Sequence, residues 1–231
     1  MALSLILPCH MPPVNWTDNV VNEYRQLEKN IEEPIELILV QDGADNRINE
    51  HDINFLIENI PSFRFIQYNI NKGKGYAIRQ GVSHAIGDII IYTDIDFPYT
   101  LQSIIAIYAA LKSNQYDIAV GVKNKDYYSH VPRSRRIVSK YLKWLIGVFL
   151  SMPITDTQCG LKGFRNKVKP LFLITSINRY LFDLEFIRNS FKEKYRVIAI
   201  PIELKNKIHF RQLNYRILFP EIINFIKLLF K

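Results

Sequence analysis

Hydrophobic and polar positions along the 231-residue chain alternate between short apolar runs and longer stretches with a helical period. Ala2–Leu7 is an almost continuous apolar run closed by Pro8, and it predicts a buried strand. A helix follows over about 16–29, with Thr17 or Asp18 as its N-cap. Ile35–Val40 predicts a second strand, ended by the turn signal Gln41-Asp42-Gly43. The pattern then gives a helix near 49–58, a strand over Arg64–Tyr68 and a loop with two glycines over Asn69–Gly75. A helix runs from that loop to about Ala85, and the strand Asp88–Thr93 leads straight into Asp94-Ile95-Asp96. Helix 100–113, strand 116–122, helices 134–150 and 181–193, strand 196–202 and an apolar helix over 221–231 complete the reading, with Pro220 in the first turn of the last.

This alternation predicts an α/β fold with a mostly parallel central sheet flanked by helices. In such sheets ligands bind beyond the carboxyl ends of the strands. Asp42, Lys72–Gly75 and Asp94/Asp96 each follow a predicted strand, so three polar clusters should meet on one edge. No Gly/Ser linker divides the chain, which predicts one domain over 1–214 and a C-terminal amphipathic helix over 215–231.

Composition narrows the class. With 48% hydrophobic and 23% charged residues, and only 9 Gly and 11 Pro, the chain is neither disordered nor collagen-like. Cys9 and Cys159 are too few for a disulfide scaffold and fit a reducing compartment. No apolar run reaches the 20 or so residues that a membrane span needs. The N-terminus lacks the basic stretch of a signal peptide, so the expectation is a cytoplasmic protein, peripheral on the inner face of a membrane. Residues 1–120 hold 8 Lys/Arg against 15 Asp/Glu, and residues 121–231 hold 22 against 7. A net −7 half followed by a net +15 half points the second half at something anionic.

Asp94 and Asp96 repel each other unless a cation lies between them, and strand alternation would point both to one side. Mg²⁺ or Mn²⁺ suits such a pair, with substrate phosphate oxygens completing its ligands. The plain alternative is an aspartate capping the helix near Thr100. Asn71-Lys72-Gly73-Lys74-Gly75 is neither a Walker loop nor a complete dinucleotide fingerprint, yet its glycines, lysines and helix start offer an anion site. The five histidines form no metal-ligand spacing.

The order L-I-L-P, V-Q-D-G, N-K-G-K-G-Y-A-I-R-Q-G, T-D-I-D and D-T-Q-C-G-L-K-G-F over residues 3–205 resembles the family 2 glycosyltransferases of GT-A fold. Among these it is most similar to the dolichyl- and polyprenyl-phosphate mannosyl- and glucosyltransferases. The resemblance implies a metal-dependent inverting transfer of glucose or mannose from a UDP- or GDP-hexose to polyprenyl phosphate. It places Pro8, Asp42, Gly73, Lys74, Arg79 and Asp94 on the nucleotide sugar, and Asp94 and Asp96 on the metal. Asp96 and Asp156 become catalytic, with Asp156 the general base or, toward a phosphate acceptor, a group that orients rather than deprotonates. Lys123 with Arg135 and Ser139, an i, i+4 pair on one helix, takes the acceptor phosphate. Gln41, Ala44 and the segment Pro8-Cys9-His10-Met11-Pro12 depart from the family pattern. Phe182-Asp183-Leu184-Glu185 resembles a further family segment, in which Asp183 and Glu185 would line the sugar or brace Asp156.

Tyr141, Trp144, Leu145 and Val148 beside Lys140 and Lys143 suit a headgroup interface, as does the apolar C-terminal helix with its stripe of Glu221, Asn224, Lys227 and Lys231. A membrane surface, and a separate membrane protein, are therefore the expected partners. The alternative within the fold is transfer to a hydroxyl acceptor in polysaccharide or glycolipid synthesis. Nucleic acid is not expected, because the basic half carries no RNP, zinc or recognition-helix signature.

Overall fold

The computed structural model describes residues 2–123, 133–150, 152–154, 156–205 and 215–229, the side chains of 133–135, 138, 142 and 215–218 excepted. Its strands are β1 (Leu3–Cys9), β2 (Ile35–Asp42), β3 (Phe63–Tyr68), β4 (Ile89–Tyr92), β5 (Ile118–Lys123), β6 (Lys162–Arg165) and β7 (Val197–Ile202). They form one sheet in the order β3-β2-β1-β4-β6-β5-β7. Every neighbouring pair is parallel except the two made by β6, which runs against both β4 and β5.

The helices are α1 (Trp16–Asn30), α2 (Glu50–Asn59), α3 (Lys74–His84), α4 (Leu101–Lys112), α5 (Arg133–Leu150), α6 (Lys169–Leu173), α7 (Phe182–Lys192) and α8 (Tyr215–Leu229). They cover both faces of the sheet, which is why β1 and β2 are buried at every position. The two-residue period of β1 divides its side chains between two cores. Leu3, Leu5 and Leu7 pack with α1, α2 and α4, whereas Ile6 packs with α3 and α5 to α8.

Several local expectations change. The first strand continues through Pro8 to Cys9. Odd residues of β1 bond toward β2 (Leu3 N to Pro34 O, 3.0 Å) and even ones toward β4 (Thr93 N to Ile6 O, 3.2 Å). Pro8 therefore turns its missing N–H to the side where the β4 ladder has already ended, at Ile6 opposite Tyr92. The chain enters α1 through Asn15 in the left-handed region, a residue type that tolerates it, rather than through a Thr17 or Asp18 cap. Thr100, not an aspartate, caps α4, its side chain accepting from Ser103 N at 3.3 Å. The final helix begins at Tyr215, and Pro220 lies inside it.

The largest departure is β6, a strand that the hydrophobic pattern does not announce. Its first residue, Lys162, has no exposed surface. The Lys162 Nζ lies 3.0 Å from Asp183 Oδ2 and also donates to the Cys159 carbonyl. Tyr92 donates its hydroxyl to Asp183 Oδ1 at 2.5 Å. Burial pushes the Asp183 carboxyl up, against the pull of Lys162 and Tyr92. One ion pair thus joins β4, β6 and α7 beneath the carboxyl edge. Asp183 does not cap its helix, which starts behind Leu181.

Removing one partner of a buried pair strands the other charge. Lys162→Met should therefore cost about 3–5 kcal/mol in chemical denaturation, and the double change Lys162→Met/Asp183→Leu should recover much of it.

Candidate active site

Strands β1 to β5 end on the same edge, and the antiparallel β6 begins there. That edge receives Asp42 from β2, Tyr68 from β3, Asp94 and Asp96 after β4, Lys123 from β5, and the segment Asp156–Leu161 before β6. The strand order reverses between β1 and β4, and their ladder stops at Ile6 before β1 ends, which puts Pro8 at the switch point.

Asp42 is buried, and its carboxylate is taken up by its own loop. Oδ1 accepts from Lys72 N at 2.7 Å and from the Tyr68 hydroxyl at 2.9 Å, and Oδ2 accepts from Gly73 N at 2.9 Å. Asn71 adds a bond to the Asp42 carbonyl at 3.2 Å. Burial and this carboxylate push the Tyr68 phenol up. At the start of α3 the N–H groups of Lys72 and Gly73 thus hold the chain's own Asp42 carboxylate. Asp42 shapes the 69–73 loop, to which its carboxylate is bonded. Gly73 holds φ 104, and a Cβ there would lie 2.6 Å from the Asn178 carbonyl oxygen, so only glycine fits.

With the loop so fixed, Lys74 at the first turn of α3 reaches across to β4, its Nζ 2.5 Å from Asp94 Oδ1. Burial alone would lower this ammonium's pKa, but Asp94 outweighs it, and Asp183 adds to the rise. The lysine stays charged. Strand geometry ends at Tyr92, so alternation does not place the two acids. They sit in a turn closed by Phe97 N to Asp94 O at 3.0 Å, with Phe97 at φ 46 and its ring fully buried. Asp94 is about one-third exposed at 37%, whereas Asp96 is exposed. Asp94 lies against Gly160, where any Cβ would collide with its carboxylate, and Gly160 N bonds the Tyr99 hydroxyl oxygen at 2.8 Å.

Asp156 lies four residues before Gly160, buried at 7% exposure. Its Oδ2 accepts from Lys123 N at 2.9 Å and from Lys143 Nζ at 2.7 Å, and Lys123 Nζ stands 3.7 Å from Oδ1. Lys143 comes from α5, one helical turn after Ser139. The sequence pattern places Lys143 on a membrane flank, whereas the fold turns it to Asp156. The signal was available: Lys143 continues the four-residue spacing that joins Arg135 to Ser139. The Arg135 side chain lies outside the described residues.

Arg79 does not join this group. Its guanidinium donates to Ile177 O at 2.8 Å, to Thr175 Oγ1 at 3.3 Å and to the Asn178 side chain, tying loop 175–178 to α3. Glu185 grips the same loop from α7, accepting from the N–H groups of Ser176 and Ile177, each at 2.8 Å. Asp183 and Glu185 therefore brace the scaffold, Asp183 through Lys162 and Glu185 through this loop. Cys159 is buried and its thiol pushed up by that burial, which argues against a thiolate nucleophile.

Among the described residues no group of three His, Cys, Asp or Glu is placed to hold a metal. The donors at hand are the two carboxylates after β4, hard oxygen ligands on an open edge. That set fits a Mg²⁺ or Mn²⁺ ion that takes its remaining ligands from substrate phosphate and water.

Residues 4–169 match the family model for glycosyl transferase family 2. A dolichyl-phosphate beta-glucosyltransferase of Trichomonas vaginalis is 30% identical over 79% of this chain and 62% of its own length. The glycosyltransferase AglD of Haloferax volcanii is 24% identical over 89% of this chain and 33% of its own. The chain thus spans between a third and about three fifths of these curated relatives. Of solved structures, mannosyl-3-phosphoglycerate synthase from Rubrobacter xylanophilus superposes with a TM-score of 0.67 at 15% identity, covering 99% of this chain and 72% of that one. Glucosyl-3-phosphoglycerate synthase from Mycobacterium tuberculosis, in complex with UDP, gives 0.64 at 14% identity over 94% and 74%. These likenesses show the GT-A fold expected from the sequence.

If Asp42 is the post on which the 69–73 loop hangs, Asp42→Asn replaces an acceptor by a donor facing the Lys72 and Gly73 amides. The variant should lose about 1–3 kcal/mol of stability. Hydrogen exchange should speed up at those two amides before it does in the sheet.

Proposed function

The chain belongs to glycosyl transferase family 2, and we propose that it transfers glucose or mannose from a UDP- or GDP-hexose to polyprenyl phosphate, with inversion, at the inner face of a membrane. One observation carries this reading. Two charged clusters stand at the carboxyl edge: Lys74 with Asp94, which lies against Gly160, and Asp156 with Lys123 and Lys143. A donor diphosphate suits the first and an acceptor phosphate the second, which leaves the anomeric carbon between them. The names of relatives that act on dolichyl phosphate support a lipid phosphate as acceptor.

The bond that forms joins an acceptor phosphate oxygen to the anomeric carbon, on the face opposite the donor diphosphate. The bond that breaks joins that carbon to the diphosphate oxygen, which keeps the electron pair. A dianionic monoester becomes a monoanionic diester, the nucleoside diphosphate gains one negative charge, and no proton moves. Mg²⁺ or Mn²⁺ held by Asp94 and Asp96 would, when bound, supply positive charge to the leaving diphosphate. Lys74 stays protonated beside Asp94 and adds a fixed charge to the same place. The family resemblance assigns Pro8 and Gly73 to the nucleotide sugar, and Asp42 keeps the Gly73 loop in shape.

A phosphate acceptor also agrees with the state of Asp156. A hydroxyl acceptor needs a base, whereas Asp156 Oδ2 already accepts from Lys123 N and Lys143 Nζ. Here Asp156 orients cations, and Ser139 stands one turn before Lys143 on α5.

The membrane part of the reading rests on two outward faces. On α5, Ile137, Tyr141, Trp144, Val148 and Phe149 are exposed, and the Tyr141 and Trp144 rings stack at 5.8 Å. On α8, Phe219, Ile222, Ile223 and Ile226 are exposed, while Phe225 and Leu228 are buried and Glu221 accepts from Leu181 N at 3.0 Å. Thus α8 is pinned to the core by one face and shows an apolar face outward, and Leu145 likewise packs inward. No described helix is long and apolar enough to cross a membrane, so docking on its surface is the mode that these faces suit.

Two measurements test this. In a transfer assay with short polyprenyl phosphate, Asp94→Asn and Asp96→Asn should each lower turnover roughly a hundredfold or more, and chelation should silence the native enzyme until Mn²⁺ is restored. Full activity in both variants would remove the basis of the proposal. In flotation with anionic vesicles, the pair Tyr141→Ser/Trp144→Ser should lose about tenfold in binding while circular dichroism stays unchanged.

A further inference from the structure

The C-terminal ends of α5 and α8 meet α7 around a small cavity of about 240 Å³. Its apolar walls come from Phe149 and Leu150 of α5, Phe191 of α7 and Leu229 of α8, with Met152 and Pro153 just after α5. Arg188 on α7 lines the same cavity, and so does Lys192 one turn further on. The place is set apart from the carboxyl edge. There α7 starts with Asp183, and it runs toward the opposite edge, where Arg196 bonds Asp117 ahead of β5. Arg188 stands five residues past Asp183, roughly 7.5 Å along the helix axis. On α5, Leu150 lies seven residues beyond the Lys143 that meets Asp156, or about 10 Å.

The Nη1 atom of Arg188 is buried, and among the described residues it finds no hydrogen-bond partner. Glu185, one turn earlier on α7, accepts instead from the N–H groups of Ser176 and Ile177. A charged donor taken out of water without an acceptor is costly, more so than a neutral one. An anion entering the cavity would supply that acceptor, and the flat fork of a guanidinium matches phosphate oxygens. The cavity is smaller than the roughly 300–1,000 Å³ that takes a drug-sized molecule, so it suits one small head group.

The surroundings name the source of the anion. Phe149, 55% exposed, belongs both to the cavity wall and to the outward apolar face of α5 that carries Trp144 and Val148. On α8, Leu229 follows the exposed Ile226 by three residues, so the outward face of that helix also ends at the cavity. An amphiphile with its anion at Arg188 would lay its chain on this apolar surface, which a free anion would leave wet.

We propose that Arg188 marks a binding site for the phosphate of an anionic phospholipid, formed between the ends of α5, α7 and α8. The proposal takes the source of its lipid from the membrane-docking reading above and adds a headgroup site to it. No step of sugar transfer enters it.

The test titrates dihexanoyl phosphatidylglycerol, as dissolved monomers, into the full chain by calorimetry, with dihexanoyl phosphatidylcholine and inorganic phosphate as comparisons. The anionic lipid should bind saturably at one per chain, and both comparisons about tenfold more weakly or worse. Arg188→Met keeps the apolar stem and loses the charge. It should weaken the anionic lipid about tenfold or more and melt no lower than the native chain without lipid. Arg188→Lys should fall between the two, and Lys194→Asn, which removes an exposed charge just beyond α7, should bind as the native chain does. Equal affinity for phosphatidylcholine or for phosphate overturns the inference, as does an unchanged titration in Arg188→Met. The pair Tyr141→Ser/Trp144→Ser should lose flotation and keep the titration, so the site and the docking faces can fail separately.

Discussion

A lysine without solvent exposure, Lys162, and the aspartate beside it, Asp183, set the frame for everything at the carboxyl edge. A charge taken wholly out of water is tolerable only with a counter-charge and good hydrogen bonds, and here both are present. The ammonium also holds the Cys159 carbonyl, so the chain from Asp156 to Leu161 is drawn down into the first residue of β6. On the other side Asp183 takes the Tyr92 hydroxyl, which anchors the strand that delivers Asp94. The two acidic segments of the site are thus tied to one buried pair, and neither can shift without breaking it.

Around that pair the charges alternate: Asp94, Lys74, Asp183 and Lys162 each have an opposite neighbour, and the field of Asp183 reaches Lys74. Such an arrangement keeps Lys74 protonated without committing it to a single partner. The second cluster, Asp156 with Lys123 and Lys143, follows the same logic with the signs exchanged, since there a carboxylate holds cations. On the function proposed above, fixed cations in both clusters would offset the mutual repulsion of two phosphate-bearing substrates.

Much of this was legible along the chain. Asp42, Lys74, Asp94, Asp156 and Lys123 all follow predicted strands or sit in motifs, and they do meet on one edge. Their partners were less visible. The resemblance marks Asp42 as a nucleotide contact, and only the folded loop shows that Lys72 N and Gly73 N surround its carboxylate. The resemblance likewise marks Arg79, and only the structure shows Thr175 and Ile177 taking its donors. Lys143 was read as a surface lysine, because a helix pattern alone does not reveal which flank meets a distant aspartate.

What the amino-acid order determined by itself is the class of fold and the chemistry of its loops, because period-two and period-3.6 patterns depend on local geometry that neighbours in sequence share. What only the tertiary structure decided is β6 and all that depends on it. Lys162-Gly163-Phe164-Arg165 has little strand propensity, and it is a strand because β4 and β5 on either side offer it hydrogen-bonding ladders. Its reversed direction, which no local pattern encodes, brings Asp156 to the same edge as Asp94.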